Sequence, residues 1–148
     1  MPEQQTLASM RNMPKVDLHR HLEGSLRVST LLELARNRDV DLPSDPRKLC
    51  SLTTMTGSDS KIPAVLLRKF HALRRVYTSP ELIMRFTREA VEDAAADNVV
   101  HLEMRFSPLA LTRIGGFPVS DVLAWVVEAA AQASAQNGIT VCMIAIDI

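Results

Sequence analysis

Two short stretches of this chain alternate apolar and polar residues, and a third stretch is apolar almost throughout. The alternating stretches are Lys15–His21 and Val99–Phe106, and a period of two is typical of a β-strand. Ile139–Ile146 is a nearly continuous apolar run, as in strands covered on both faces of a parallel sheet. The pattern predicts three strands. On the first two, the apolar set expected to pack against helices is Val16, Leu18, Val100, Leu102 and Met104, and the polar set is Asp17, His19, His21, His101, Glu103 and Arg105.

Four segments between these strands carry apolar residues at helical spacing. They run from a cap at Ser29 or Thr30 to about Asn37, from Pro63 to about Tyr77, from Pro80 to about Asn98, and from a cap at Ser120 to about Asn137. Ser79 directly before Pro80 is a strong start signal, because Ser caps the first N–H groups of a helix and Pro suits its first turn. Segments rich in turn-forming residues predict loops at Leu42–Lys61 and at Gly115–Pro118, with a break at Ser107 and Pro108.

The predicted order is strand, helix, loop, two helices, strand, helix, strand. This alternation is typical of an α/β fold with a parallel sheet and right-handed crossovers. A (β/α)8 barrel takes about 250 residues, whereas this chain has 148. Three strands cannot close a barrel, and the third would leave an apolar edge without partners. Either a second polypeptide segment supplies further strands, or the fold is not a barrel, and a compact three-strand domain is then the alternative.

The charge balance argues against several classes of partner. Lys plus Arg and Asp plus Glu both number 17, so the formal net charge is zero. This composition provides no basic footprint for nucleic acid and no attraction to an anionic membrane surface. The longest apolar runs are also too short to span a bilayer. We expect neither nucleic acid nor a membrane as a partner.

Cysteine usage and the N-terminal residues bear on location. Cys50 and Cys142 are the only cysteines and lie far apart in the sequence, so they form neither a Cys-x-x-Cys pair nor a disulfide framework. A cytoplasmic location is the simplest expectation. Residues 1–13 are polar and lack an apolar core, which predicts a flexible leader and not a signal peptide.

His19 and His21 share one face of the first predicted strand, just before a turn at Gly24. Two imidazoles in this arrangement can hold one metal ion at about 2.0–2.1 Å. A bare His-x-His more often represents two unrelated histidines. The position at the C-terminal end of a strand favours a metal site, because barrel enzymes carry their chemistry there.

Two motifs carry a family resemblance. Residues 14–25, Pro-Lys-Val-Asp-Leu-His-Arg-His-Leu-Glu-Gly-Ser, resemble the opening strand of the adenosine/adenine deaminase family, within the amidohydrolase superfamily of metal-dependent barrels. Residues 99–108, Val-Val-His-Leu-Glu-Met-Arg-Phe-Ser-Pro, resemble that family's second barrel strand. The resemblance implies that residues 14–148 are the N-terminal part of a single (β/α)8 TIM-type barrel, comprising about three strands plus helices.

The resemblance also implies an activity, which is hydrolytic deamination of a purine nucleoside or base with one Zn²⁺ per complete active site. In the family, the two strand histidines bind zinc, and the second histidine and the following acid contact the sugar. These roles match His19 and His21 as ligands, and His21 and Glu23 as substrate contacts. Adenosine deaminases usually carry Asp where this chain has Glu23, so the choice among adenosine, adenine and modified purine nucleosides stays open.

Further residues are expected around this site. Leu66, Leu67 and Phe70 resemble the family's hydrophobic gate over the sugar, although core packing of a helix face explains them equally well. Asp17 or Glu103 paired with Arg105 would be structural support, because an unpaired charge inside a barrel costs several kcal/mol. His101 is expected to be a hydrogen-bonded interior residue and His71 a surface residue.

In the family, the third histidine ligand and the catalytic acid and base lie on later strands. We therefore expect no catalytic residue in this chain, no activity from it alone, and a complementary C-terminal segment of the same protein as its partner. Two alternatives stay open. One is a different amidohydrolase-type metal-dependent hydrolase, and the other is a non-catalytic α/β interaction domain.

Overall fold

A computed structural model describes residues 9–55, 57 and 63–146, and it shows an α/β arrangement built on a parallel sheet. The strands β1 (Lys15–His21), β2 (Val99–Phe106) and β3 (Thr140–Ala145) lie side by side in that order. A short 3-10 turn, Leu22–Gly24, follows β1. The helices are α1 (Val28–Asn37), α2 (Pro46–Thr53), α3 (Pro63–Arg74), α4 (Pro80–Ala96), α5 (Pro108–Gly115) and α6 (Val119–Asn137). The predicted fold class and the three strands are confirmed.

Three helices begin with the same local signal, an Asp or Ser cap followed by Pro. The side chains of Asp45, Ser79 and Ser107 each accept a hydrogen bond from the backbone N–H three residues later, at 2.9, 3.3 and 3.3 Å. The cap satisfies an N–H group that has no partner inside the helix, and Pro has no N–H to lose at the first helical position. The signal thus sets where α2, α4 and α5 begin.

Two of these helices correct the sequence-based prediction. The expected loop at Leu42–Lys61 contains α2, although residues 56 and 58–62 lie outside the described part. The expected break at Ser107 and Pro108 opens α5, which reaches Gly115. Both helices have eight residues, too few for apolar periodicity to stand out. Their Asp-Pro and Ser-Pro starts were the available signal.

Two other expected caps also differ from the structure. Helix α1 begins at Val28 with Arg27 in the cap position, so Ser29 and Thr30 lie inside its first turn. Helix α6 is preceded by Pro118 in the cap position, and neither cap residue makes a side-chain capping hydrogen bond. The predicted caps, Ser29 or Thr30 and Ser120, lie two or three residues after the observed cap positions, because a Ser or Thr inside the first turn is easily taken for a cap.

The hydrophobic core lies between the helices and one face of the sheet. Helices α4 and α6 pack against each other, α4 contacts β2, and α6 contacts β3. The largest fully buried apolar side chains include Phe86 of α4 and Phe106 at the end of β2. Leu102 and Met104 are also fully buried, as the alternation in β2 predicted.

The apolar residues of β1 do not join this core, and this corrects a further prediction. Val16 and Leu18 are 59% and 56% exposed, and Val100 is 45% exposed. The pairing of β1 with β2 is irregular in two places. Val100 is an extra residue of β2 between the partners of Lys15 and Val16, and the three-residue step from Asp17 to Arg20 pairs with a two-residue step from Leu102 to Met104. Burial still alternates from Lys15 to Leu18, and Asp17, His19 and His21 all line one cavity. The prediction was therefore wrong about the burial of Val16 and Leu18, not about which residues share a face of this strand.

The structure describes only part of the predicted leader. Residues 1–8 lie outside the described part, and residues 9–12 form one helical turn.

Within the described residues no single helix is long and apolar enough to cross a bilayer. The pair Pro108–Gly115 and Val119–Asn137 passes that test only when taken together, and it is bent by 112°.

Candidate functional site

A cavity of about 630 Å³ opens at the C-terminal end of β1. Its walls are formed by the strand, the turn after it, the start of α1, the end of α2 with the two residues beyond it, and one face of α3. The residues that line it are Asp17, His19, Arg20, His21, Gly24, Ser25, Leu26, Val28, Thr53, Thr54, Met55, Leu66, Lys69, Phe70 and Leu73. The position matches the end of the strand at which parallel α/β folds carry their ligands.

The two histidines singled out from the sequence come together in this cavity. The ring centroids of His19 and His21 are 5.3 Å apart and the rings are inclined by 48°. Two imidazoles that share a tetrahedral zinc at about 2.1 Å from each nitrogen have centroids about 5 Å apart. The pair therefore fits a shared metal ion.

The irregular strand explains how His19 and His21 reach the cavity together with their neighbours. Asp17 accepts a hydrogen bond from the backbone N–H of His19 at 3.1 Å and from Nε of Arg20 at 2.8 Å. These bonds hold the extra residue of β1 in place. As a result Asp17, His19, Arg20 and His21 all line the cavity, although a regular strand would place Arg20 on the other face.

His21 is the better enclosed of the two imidazoles, and its surroundings favour the neutral form. Burial lowers the pKa of His21 below its ordinary value, and the positive groups of His19, Arg105 and Arg74 lower it further, while Glu23 acts in the opposite direction. A neutral imidazole has a free nitrogen lone pair, which is the form that binds a metal ion.

Part of the predicted hydrophobic gate lies over the histidines. Leu66 and Phe70 line the cavity, and the Phe70 ring stands edge-on to His21 with centroids 5.6 Å apart. Leu67 does not line the cavity and is 46% exposed on α3. The structure therefore brings two of the three predicted gate residues to the site.

The structure adds cavity residues that the sequence had not singled out. Lys69 is 7% exposed, and its ammonium donates to the carbonyl oxygens of Ser51 at 3.0 Å and Thr54 at 2.6 Å. It thereby fastens the end of α2 to α3, so that Thr54 and Met55 form part of the wall. A lysine amid the apolar face of a predicted helix was the only hint in the sequence.

Glu23 lies beside the cavity, not on its wall. Its carboxylate is 1% exposed, and its Oε1 accepts hydrogen bonds from the backbone N–H of Ser107 at 3.2 Å and from Nη2 of Arg74 at 3.3 Å. Arg74, near the end of α3, had not been expected at the site. The sugar contact implied for Glu23 by the resemblance stays a prediction.

The remaining charges expected to support the site are paired, although not all as predicted. Glu103 lies 4.0 Å from Arg105, one of the two pairings expected. Asp17 instead pairs with Arg20 at 2.8 Å. His71 is exposed on α3, as expected of a surface residue.

A complete metal centre would need more donors than these two. Catalytic zinc sites usually have three protein ligands. Among the residues that the structure describes, no cluster of three or more His, Cys, Asp or Glu side chains is placed to hold a metal ion. His19 and His21 by themselves therefore fall short of a complete metal centre.

Comparison with known proteins identifies similar chains. Residues 14–148 match the family described as adenosine deaminase. A probable adenosine deaminase of Dictyostelium discoideum is 41% identical over 111 residues, which is 74% of this chain and 14% of that protein. An adenosine deaminase of Clostridium botulinum is 38% identical over 101 residues, which is 68% of this chain and 30% of that protein. The chain thus spans less than a third of either relative.

Solved structures are similar over nearly the whole chain. An amidohydrolase from Burkholderia ambifaria with bound Zn has a TM-score of 0.77 at 29% identity, covering 93% of this chain and 36% of that one. An adenine deaminase from Arthrobacter aurescens has a TM-score of 0.74 at 27% identity, covering 89% and 39%. Arabidopsis ADAL in complex with GMP has a TM-score of 0.74 at 29% identity, covering 95% and 42%.

Proposed function

The chain belongs to the adenosine deaminase family, and from that premise we propose that it is the N-terminal part of a zinc-dependent deaminase barrel acting on a purine. The observation that carries the proposal is the pair of imidazoles, His19 and His21, 5.3 Å apart in the cavity at the end of β1. Residues 14–148 would form the first three strands of the barrel with their helices.

His19 and His21 are the residues that would hold the zinc ion. Their spacing fits a shared metal, and the lowered pKa of His21 favours the neutral ring, which is the form that binds a metal ion. When bound, zinc would supply the Lewis acidity that makes water a nucleophile at neutral pH. The Burkholderia ambifaria structure, with its bound Zn, supports this choice of metal.

The chain's own residues would bind the purine and keep bulk water out. Phe70 and Leu66 give the cavity an apolar wall on the α3 side, next to His21. A flat heteroaromatic ring fits such a wall, because apolar surfaces with a few polar groups are typical of small-molecule sites. His21 faces the same space and would contact both metal and substrate.

The site would be completed by a complementary C-terminal segment of the same protein. The described residues provide two metal donors where three are usual, so the chain alone would bind zinc weakly and would not turn over substrate. Later strands of the barrel would supply the remaining ligand and the groups that transfer protons. The cytoplasmic location remains a prediction from cysteine usage.

The relatives suggest which substrates to try first. Their names include adenosine deaminase and adenine deaminase, and one neighbouring structure holds GMP. The substrate class proposed here is therefore a 6-aminopurine as base, nucleoside or nucleoside monophosphate.

The test is to purify the protein natively, identify every polypeptide that co-elutes by intact mass, and measure zinc content and ammonia release from adenosine, adenine and AMP. The expected result is about one zinc per assembled barrel and deamination of at least one purine. Treatment with a chelator should abolish turnover, and added zinc should restore it. No deamination of any purine by the assembled, zinc-loaded barrel would refute the proposal.

Site variants link the activity to these residues. His19→Ala and His21→Ala in the assembled protein should each lower zinc affinity by at least 10-fold and abolish turnover, because each removes a ligand. His71→Ala is the matched control, since that imidazole is exposed on α3 and does not line the cavity. Full zinc binding by either site variant would exclude that histidine as a ligand.

A further inference from the structure

We propose that Glu23 is a positioning residue, which holds His21 in place from outside the cavity and does not contact the sugar of a substrate. This inference rests on the proposed function, because it concerns how the metal-binding histidine is held. It differs from the role that family resemblance implies for this carboxylate. Three features of the structure support it: the burial of Glu23, the elements that its hydrogen bonds join, and the location of Phe70.

Burial removes Glu23 from the reach of a ligand in the cavity. Its side chain is 1% exposed, and the neighbouring residues that do line the cavity are His21, Gly24 and Ser25. One carboxylate oxygen is already shared by two donors, and the other is buried without a partner among the described residues. In the described part of the chain, neither oxygen therefore reaches the cavity in which a substrate would bind.

The hydrogen bonds of Glu23 connect three elements that surround His21. Glu23 belongs to the turn that directly follows β1, Ser107 directly follows β2, and Arg74 lies at the end of α3. The carboxylate accepts from the backbone of Ser107 and from the guanidinium of Arg74. The turn itself is tied back to the strand, because Ser25 Oγ donates to the carbonyl of His21 at 2.7 Å. These hydrogen bonds thus fix the turn that follows His21, and through it the position of His21.

Helix α3 connects the hydrogen bonds of Glu23 to the imidazole ring of His21. Phe70 and Arg74 are four residues apart and therefore share a face of the helix. Phe70 packs edge-on to the ring of His21, and Arg74 pairs with Glu23, which follows His21 by two residues. Loss of the Glu23–Arg74 pair would let the end of α3 move, and the Phe70 ring would move with it. Glu23 therefore acts on His21 through both the backbone and a neighbouring ring.

The burial of the pair makes it sensitive to single substitutions. Arg74 is 12% exposed, so a variant that removes the carboxylate charge leaves a largely buried cation without its partner. Glu23→Gln keeps the shape and one acceptor oxygen but removes the charge. Glu23→Asp keeps the charge but shortens the side chain by one methylene, so that it cannot reach both Ser107 and Arg74 without moving the turn.

The test uses the assembled zinc protein and compares the nucleoside with its free base, or whichever two purines the wild type deaminates. We measure zinc affinity by chelator competition and kcat and KM for each purine. A positioning role predicts that Glu23→Asp and Glu23→Gln lower zinc affinity roughly 10-fold and lower kcat for both purines by the same factor. A sugar contact predicts unchanged zinc affinity and a raised KM for the nucleoside alone, which would overturn the proposal.

A second variant keeps the test decisive if a single variant does not fold. Glu23→Gln combined with Arg74→Gln leaves no unpaired charge, so it should melt at a higher temperature than either single variant. It should still bind zinc less tightly than the wild type, with the nucleoside-to-base preference unchanged. Wild-type zinc affinity in this double variant would overturn the proposal.

The matched control is the Glu33–Arg85 pair, which joins α1 to α4 at 2.8 Å on the outer surface. Glu33→Gln with Arg85→Gln should leave zinc affinity unchanged. The two proposals also fail in different ways. A wild-type protein that neither binds zinc nor deaminates a purine refutes the proposed function. A working zinc deaminase whose Glu23 variants keep wild-type zinc affinity refutes only the positioning role.

Discussion

Replacing Lys69 with Met tests how much the wall of the cavity depends on one buried ammonium. Lys69 is 7% exposed and donates to carbonyl oxygens of Ser51, in the last turn of α2, and Thr54, just beyond it. Carbonyl groups at a helix C-terminus have no partners within the helix and carry partial negative charge, so a cation there is doubly favourable. Methionine has a similar length and apolar character but cannot donate.

The structure allows the size of the effect to be estimated. Hydrogen bonds from a charged donor contribute about 1.5–3 kcal/mol each, so the two bonds together amount to about 3–6 kcal/mol. Removing the buried charge also removes its desolvation cost, which offsets part of the loss. We expect Lys69→Met to lower the free energy of unfolding by about 2–3 kcal/mol, and to raise KM because Thr54 and Met55 lose their anchor.

The assay is urea unfolding of the assembled protein together with KM for the preferred purine. Arg68→Met is the matched control, because Arg68 precedes Lys69 on the same helix but is exposed and does not line the cavity. Its effect should stay within about 0.5 kcal/mol. The reasoning is refuted if Lys69→Met changes the free energy of unfolding by no more than about 0.5 kcal/mol and keeps the wild-type KM.

Three further variants test individual contacts. In Gly24→Ala the new Cβ would lie 3.3 Å from the Phe70 ring and push that ring by a few tenths of an ångström, so KM should rise a few-fold. Gly57→Ala is the control and should leave KM unchanged, because its Cβ would meet nothing within 4 Å. Tyr77→Phe should leave the free energy of unfolding unchanged or raise it by up to about 1 kcal/mol, because the buried hydroxyl has no partner among the described residues; a loss of stability would reveal a bound water. Asp45→Ala should cost about 1 kcal/mol in urea unfolding by removing the cap of α2.

The sequence predicted best those elements whose residues follow one period over a sufficient length. Helix α4 has 17 residues, a Ser-Pro start and a continuous buried face, and it was placed within two residues at its end. Strand β2 was placed without error because its alternation runs over eight residues. In both cases local preference and burial against the core favour the same structure, so the pattern was sufficient.

The errors occurred where a contact distant in sequence decides the local structure. The position of Arg20 beside His19 and His21 depends on the irregular pairing of β1 with β2, which Asp17 supports through its bonds to His19 and Arg20. A period of two cannot reveal an extra residue in a strand. The burial of Glu23 depends in the same way on Arg74, which lies 51 residues later in the sequence. The motif identified Glu23 as important, but only the packing shows which groups it contacts.

The arrangement of the site explains why the histidines alone would not suffice. The described residues that line the cavity run from Asp17 to Leu73, so its walls come from β1, the turn after it, the start of α1, the residues around α2, and α3, and none of them belongs to β2 or β3. In the described part β1 pairs with β2 alone, and its other edge has backbone groups free for a further strand. In the proposed barrel, the closing strand would pair along that edge, next to His19. The same closure would satisfy the edge of β1 and bring new side chains to the histidines, so folding of the barrel and completion of the metal site would be one event.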